Sequence, residues 1–333
     1  MRLGDLGEFA LIRRIARESV VAGAHVVKGI GDDCSVTTCR GNLLRLVTTD
    51  LLIERVHFLR DGVTPRQLGA KALAVNLSDI AAMGGVAGDA YVCLALPDDL
   101  TVEYVEEMYR GMKGTAAAFS VNVLGGDTTG SKADLVISVT VTGEVERAAV
   151  LYRSGARPGD RIYLSGPVGD SGAGLDALLT RRGGGEVDEL VRRHLEPIPH
   201  LVQGRVIAAS RLGHAMIDVS DGVAIDLSHI CEESGVGAIV HEDTLPISPE
   251  LAAYSRHFGL DPTSFALGGG EDYVLLLTGE DSLGSVAATA GVRLFEIGRI
   301  IEEPRMLLRR ADGSASPLEP RGWDHFKKTD PLR

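Results

Sequence analysis

One segment restricts the possible folds more than any other. Thr64-Pro65 opens a helix by N-cap and N1 logic, and Gly84-Gly85 stops it just after Met83. Between them, Ala70-Lys71-Ala72-Leu73-Ala74-Val75-Asn76-Leu77-Ser78-Asp79-Ile80-Ala81-Ala82-Met83 is largely apolar yet contains Asp79. A carboxylate on an apolar helix is expensive unless it is paired or bound to a metal. Asn76, Asp79 and Met83 share one face at i, i+3, i+7 spacing, so the polar side is narrow. Any fold for this chain must bring a compensating partner to that side.

The flanking segments have ordinary signals. Phe9, Leu11, Ile12, Ile15 and Ala16 fall at the spacing of an amphipathic opening helix. A Gly-Asp-rich loop follows at Gly29–Asp33, and Leu43–Thr49 reads as a strand ending in Asp50. Ala90–Leu96 reads as a strand, Val102–Phe119 as a helix, and Val121–Leu124 as a strand running into Gly125-Gly126-Asp127. Leu135–Val145 alternates as a half-buried strand does. Glu146–Asp160, with Arg147, Arg153, Arg157 and the turn Pro158-Gly159-Asp160, reads as a boundary. At 333 residues the chain is too long for one ordinary core, so two domains are expected, 1–147 and 148–333.

The second half begins with a strand, Arg161–Ser165, and a glycine-punctuated helix start at Gly169–Gly174. The charged, glycine-rich Arg181–Glu189 reads as a solvated loop, and helices are expected near Leu201–Arg211 and Gly222–Glu233. Strands are expected at Gly237–Val240, Tyr273–Thr278 and Leu294–Ile300. The tail Arg310–Pro320 is polar and turn-rich, ahead of Gly322-Trp323-Asp324-His325-Phe326. There is no repeat and no low-complexity tract. The fold class is α/β (α+β), without the strict alternation of a doubly wound sheet.

Composition excludes several functions. The net charge of -12 argues against nucleic acid or an anionic membrane as main partner. The longest apolar runs, such as Tyr91–Leu96, are too short to span a bilayer. Met1-Arg2-Leu3-Gly4-Asp5 lacks the pattern of a secretory signal. None of Cys34, Cys39, Cys93 and Cys231 forms a C-x-x-C pair, which disfavours zinc and redox motifs and suits a reducing cytoplasm.

Acidic residues recur beside Gly, Ser or Thr: Gly31-Asp32-Asp33, Thr48-Thr49-Asp50, Asn76-Leu77-Ser78-Asp79, Gly125-Gly126-Asp127-Thr128-Thr129, Asp218-Val219-Ser220-Asp221-Gly222 and Gly269-Gly270-Glu271-Asp272. Singly, each could be turn or capping chemistry. Together, many carboxylates with no His/Cys cluster suit a hard cation, magnesium before zinc. Carboxylate-held magnesium usually bridges to substrate phosphates, and Gly125-Gly126 would let backbone N–H groups approach them. Neither a P-loop nor the protein-kinase motif set is present, and Gly166–Gly172 lacks dinucleotide-fingerprint spacing.

At this point the ordered set resembles the thiamine-monophosphate kinase family. It is carried by Gly29-Ile30-Gly31-Asp32-Asp33-Cys34, Thr49-Asp50 with Val56-His57-Phe58, Lys71 through Asp79, Gly125-Gly126-Asp127-Thr128, Ser220-Asp221-Gly222 and Gly269 through Tyr273. The resemblance implies that ATP and thiamine monophosphate give ADP and thiamine diphosphate. It also implies the fold of aminoimidazole ribonucleotide synthetase, whose N-terminal sheet pairs across a homodimer. By motif match, Asp33, Thr48, Thr49, Asp50, Asp79, Asp127, Asp218 and Asp221 would hold several magnesium ions, Thr48 through its hydroxyl or its backbone carbonyl. Tyr109, Gly126, Asp127, Arg153 and Ser220 would contact ATP, and His57, Glu271 and Trp323 the thiamine moiety.

The acceptor would be a phosphate monoester, mostly ionised at neutral pH because its second pKa is about 6. No strong general base is then needed, and positioning with electrostatic stabilisation suffices for direct in-line transfer. The competing readings are another ATP-using synthetase of the same superfamily and a non-catalytic magnesium-nucleotide sensor.

Overall fold

The structure, a computed structural model, describes residues 2–323, 325 and 326. Two helices, α1 (Leu3–Leu6) and α2 (Glu8–Ile15), precede a six-stranded sheet. Its strands are β1 (Val26–Lys28), β2 (Ser35–Thr38), β3 (Leu43–Ile53), β4 (Val86–Pro97), β5 (Asn122–Ser131) and β6 (Val136–Glu146), in the order β1-β2-β3-β6-β4-β5. Every pairing is antiparallel except β4 with β5. Two helices, α3 (Pro65–Ala82) and α4 (Val102–Ala118), connect within this half.

The second half contributes β7 (Arg161–Leu164), β8 (Gly213–Asp218), β9 (Gly237–His241), β10 (Leu275–Gly279), β11 (Phe295–Ile301), β12 (Met306–Arg309) and β13 (Ala315–Pro317). They order as β13-β12-β9-β11-β7-β10-β8. Its helices are α5 (Asp170–Thr180), α6 (Gly185–Leu195), α7 (Leu201–Ser210), α8 (Val223–Ser234), α9 (Pro249–Phe258), α10 (Pro262–Gly268) and α11 (Leu283–Thr289).

Helix α3 explains why its sequence is apolar on nearly every side. One flank packs on β3 and β6, another on β8 and α7, so a single core runs from Leu46 and Val139 through Leu73 and Leu77 to Met216 and Leu275. The helix begins with a full capping box: Thr64 accepts from the Gln67 N–H, and the Gln67 side chain accepts from the Thr64 N–H. Where α3 crosses α4 the backbones nearly touch. A Cβ at Gly69 would fall 1.8 Å from the Met108 carbonyl oxygen, and one at Gly111 would fall 1.8 Å from that of Arg66. The opposite face of the first sheet is uncovered, with Thr49, Leu51, Tyr91 and Cys93 exposed.

Several elements differ from their sequence-based expectation or had none. Strand β3 does not end at Asp50 but continues to Ile53, because β6 pairs with it along its whole length. Gly125-Gly126-Asp127 lies within β5 rather than in a loop. The register steps from Ala90↔Val123 to Tyr91↔Gly125, which leaves Leu124 as a bulge. Gly126 has φ 150°, and a Cβ there would stand 1.6 Å from the Val92 carbonyl oxygen, so only glycine lets the strand continue. The stretch expected as a loop at Arg181–Glu189 becomes helix α6 from Gly185, whose Val187 and Leu190 reach a small core with Ala173 and Tyr254. Strand β8, which delivers Asp218, was not anticipated.

Candidate active site

Three segments converge on Asp79. From β3, Thr48 turns inward and its hydroxyl donates to Asp79 Oδ2. From β8, Asp218 accepts a 2.6 Å hydrogen bond from Ser78 Oγ. From the loop before β2, Asp33 stands with a fully buried side chain against Arg153, whose Nε and Nη2 reach Asp33 Oδ1 at 3.1 and 2.6 Å. Carboxylate oxygens of Asp33, Asp79 and Asp218 all lie within 4.8 Å of one another. Asp50 is anchored beside them: its N–H donates 3.1 Å to Asn76 Oδ1, while Asn76 Nδ2 returns to the Ala72 carbonyl.

Like charges this close in a buried place resist ionisation. Burial, partly offset by Arg153, raises the Asp33 pKa to about 6. Burial raises Asp218 to about 6 against the Ser78 hydrogen bond and Arg153, and burial with Asp33 raises Asp50 to about 6. Asp79 is pushed well above the carboxylate range by burial, then by Asp50, Asp218 and Asp33. Asp33 Oδ2 is buried with no hydrogen-bond partner among the described residues. A hard divalent cation answers all of these features, since it offsets the repulsion and takes the orphaned oxygen. Asp33, Asp79 and Asp218 could hold it, with Thr48 and Asp50 adjoining.

A second cluster adjoins the first. The loop 269–273 folds back on the loop after β8: the Glu271 N–H donates to the Ser220 carbonyl and the Tyr273 N–H to that of Val219. The Trp323 N–H reaches the Asp221 carbonyl at 3.2 Å. The rings of His57 and His325 are 5.0 Å apart and those of Trp323 and His325 5.6 Å. The ring of His57 is held by the Ile53 N–H, 2.9 Å from Nδ1, and its pKa is lowered by burial and then by His325. His57, Glu271 and Trp323 thus belong to one neighbourhood, with His325 between two of them. Sequence reading missed His325, although it stands two residues after the sole tryptophan.

The other candidates lie on β3, β5 and α4 and in the loop after β8. Thr49 faces the uncovered side of the sheet, donating to the Val139 carbonyl and accepting from Thr140. Asp127 is exposed on β5, in register with Cys93, and accepts from the Thr128 N–H. Gly126 adjoins it, and Tyr109 is half-buried on α4, its pKa raised by burial and then by Cys93. Asp221 accompanies Ser220 after β8, its N–H on Asp226 Oδ2. Sequence reading also passed over Asp32, whose Oδ1 accepts from the N–H groups of Asp33 and Arg153.

Two family models match the chain: AIR synthase related protein, N-terminal domain, over residues 31–145, and AIR synthase related protein, C-terminal domain, over residues 157–309. The chain is 40% identical to the thiamine-monophosphate kinase of Aquifex aeolicus (strain VF5), covering 98% of this chain and 100% of that one. Against the thiamine-monophosphate kinase of Bacillus subtilis (strain 168) the identity is 34%, covering 97% and 100%. The solved structure of AaThiL complexed with AMPPCP and TMP matches with a TM-score of 0.87 at 38% identity, over 98% of this chain and 99% of that one.

Proposed function

The chain belongs to the thiamine-monophosphate kinase branch of the AIR synthase related proteins, and on that premise we propose that it transfers the γ-phosphoryl group of ATP to thiamine monophosphate, releasing ADP and thiamine diphosphate. The observation that carries this reading is the carboxylate group Asp33, Asp79 and Asp218, gathered from three elements within 4.8 Å. A site so acidic has no use for a polyphosphate unless cations stand between them.

Magnesium is the cation that fits. We assign its ligation to Asp33, Asp79 and Asp218, with Thr48, Asp50 and Asp221 adjoining, and we count Thr49 on β3 and Asp127 on β5 as the remaining ligands. Bound there, it would supply positive charge against that of the phosphates. The chain's own contributions are binding and alignment. Gly126 has no side chain to keep its backbone from phosphate oxygens. Arg153, already aimed at the cluster through Asp33, brings a permanent positive charge. Tyr109 and Ser220 complete the ATP contacts. His57, Glu271 and Trp323 hold the thiamine moiety, where a carboxylate and an aromatic ring both favour a cationic thiazolium. The acceptor oxygen is already ionised, so none of these side chains has to remove a proton, and transfer is direct and in-line.

We divide the chain into an ATP-binding domain, 1–147, and a C-terminal domain, 148–333. The uncovered face of the first sheet, with Leu51, Tyr91 and Leu124 exposed, is the surface on which a second copy pairs in a homodimer. No described helix is long and apolar enough to cross a membrane, and the four free cysteines suit the cytoplasm.

The test is ADP release from ATP and magnesium with and without thiamine monophosphate. Release that requires the acceptor supports the kinase. Tight ATP binding without turnover under either condition would replace it with a nucleotide sensor.

A further inference from the structure

Lys71 has no part in the chemistry above, yet it is a charged residue only 3% exposed on the central helix. Its Nζ donates to the His194 carbonyl at 3.1 Å and pairs with Glu271 Oε1 at 2.9 Å. The other Glu271 oxygen lies 3.4 Å from His194 Nδ1. That ring is neutral, its pKa pushed down to about 4 by burial and then by Lys71. Lys71 is therefore the full positive charge that meets Glu271 among the described contacts. Burial works against ionisation of Glu271, but Lys71 holds its pKa below the ordinary value.

A hydrolytic Ser–His–Glu relay does not fit here. Ser171 Oγ, at 3.0 Å, and Glu271 both address Nδ1 of His194, and Ser171 is 1% exposed. A relay needs its two partners on opposite ring nitrogens. The loop geometry supports a different role. Glu271 and Tyr273 both have positive φ, 63° and 51°, a strained choice for such residues. Between them the Asp272 carboxylate accepts from the N–H groups of Gly169 and Ser171 at 2.6 and 3.0 Å. The backbone is thus pinned at Glu271, Asp272 and Tyr273, so that the Glu271 side chain projects toward α3. It ends on Lys71 while remaining 25% exposed.

We propose that Lys71 is a positioning residue for the cationic acceptor: it orients Glu271 and keeps it ionised at the mouth of the site, so that the carboxylate meets the positively charged ring of the substrate. The inference rests on the reading of Glu271 as a contact of the thiamine moiety. Lys71 is too buried to meet the acceptor itself, so its whole effect passes through Glu271.

The experiment is steady-state kinetics of Lys71→Met, Glu271→Gln and the double variant, each checked by thermal melting. Both single variants should raise KM for thiamine monophosphate by roughly ten- to hundredfold, the range for a lost hydrogen bond to a charged group. KM for ATP should stay near that of the parent. The double variant should match Glu271→Gln, because Lys71 then has nothing left to orient. A rise with Glu271→Gln but none with folded Lys71→Met overturns the inference, and so does a double variant clearly worse than Glu271→Gln. No rise with Glu271→Gln sinks the reading of Glu271 as a substrate contact instead. If Lys71→Met does not fold, Lys71→Gln takes its place, since it keeps a donor for the His194 carbonyl but no charge for Glu271, and an unchanged KM for thiamine monophosphate there overturns the inference.

Discussion

Replacing Asp218 by Asn should stabilise the metal-free protein while removing much of its response to magnesium. Asp218 is 2% exposed, and burial raises its pKa from 3.8 to about 6. Two units at 1.36 kcal/mol each give about 3 kcal/mol. Because the folded pKa lies above the unfolded one, the folded protein holds a proton that the unfolded chain has already lost between about pH 4 and pH 6. Stability of the metal-free protein therefore falls as pH rises through that window, and the full penalty applies above it. Asn carries no charge but can still accept from Ser78 Oγ, which sits 2.6 Å away. In EDTA at pH 7.5 the variant should be more stable than the parent by about 1–3 kcal/mol, the lower end applying if Asp33 and Asp79 share the burden. Near pH 4 the two should converge. Denaturant unfolding at both pH values, with chelator and then with magnesium, measures this. A variant less stable than the parent in EDTA at pH 7.5, or one that magnesium stabilises as much as the parent, would refute the reasoning.

Two further substitutions separate chemistry from architecture. Asp50→Ala and Asp127→Ala should each fold and lower kcat at least roughly 100-fold, the scale of losing an electrostatic contact in a preorganised site, with the melting temperature of Asp127→Ala, an exposed position, near the parent's; near-normal turnover at low magnesium would remove them from the ligand set. Gly69→Ala should instead lower stability, because its Cβ would stand 1.8 Å from the Met108 carbonyl oxygen and force α3 away from α4, at roughly 1–3 kcal/mol or more; an unchanged unfolding midpoint contradicts that packing.

Much of this was legible in the sequence because local chemistry dictates it. The Thr64-Pro65 start, the apolar run to Met83 and the alternation through Leu135–Val145 all became the elements they suggested, the last shifted by one residue. Asp79 announced a compensating partner, and the structure supplies the Thr48 hydroxyl beside it and, with Asp33 and Asp218, an oxygen cluster suited to a cation. What escaped depends on contacts distant in sequence. The extension of β3 past Asp50 requires β6, whose Ser138, Ile137 and Val136 pair with Leu51, Leu52 and Ile53. Nothing local marks Lys71 as buried, because His194 and Glu271, which close over it, lie far along the chain. Strand β8 is short, and Gly213-His214 gives it no clear apolar beginning. The separation of Thr49 and Asp127 from the buried acids follows from side-chain direction in the sheet, and residue order alone does not fix that.

The fate of a single phosphoryl group distinguishes direct transfer from its alternatives. ATP labelled in the γ-phosphoryl, incubated with the protein, magnesium and thiamine monophosphate, should yield label in thiamine diphosphate in step with ADP. Acid-quenched samples should contain no labelled protein. Label appearing only as inorganic phosphate, or passing through a kinetically competent phosphoprotein, would contradict direct transfer to the acceptor.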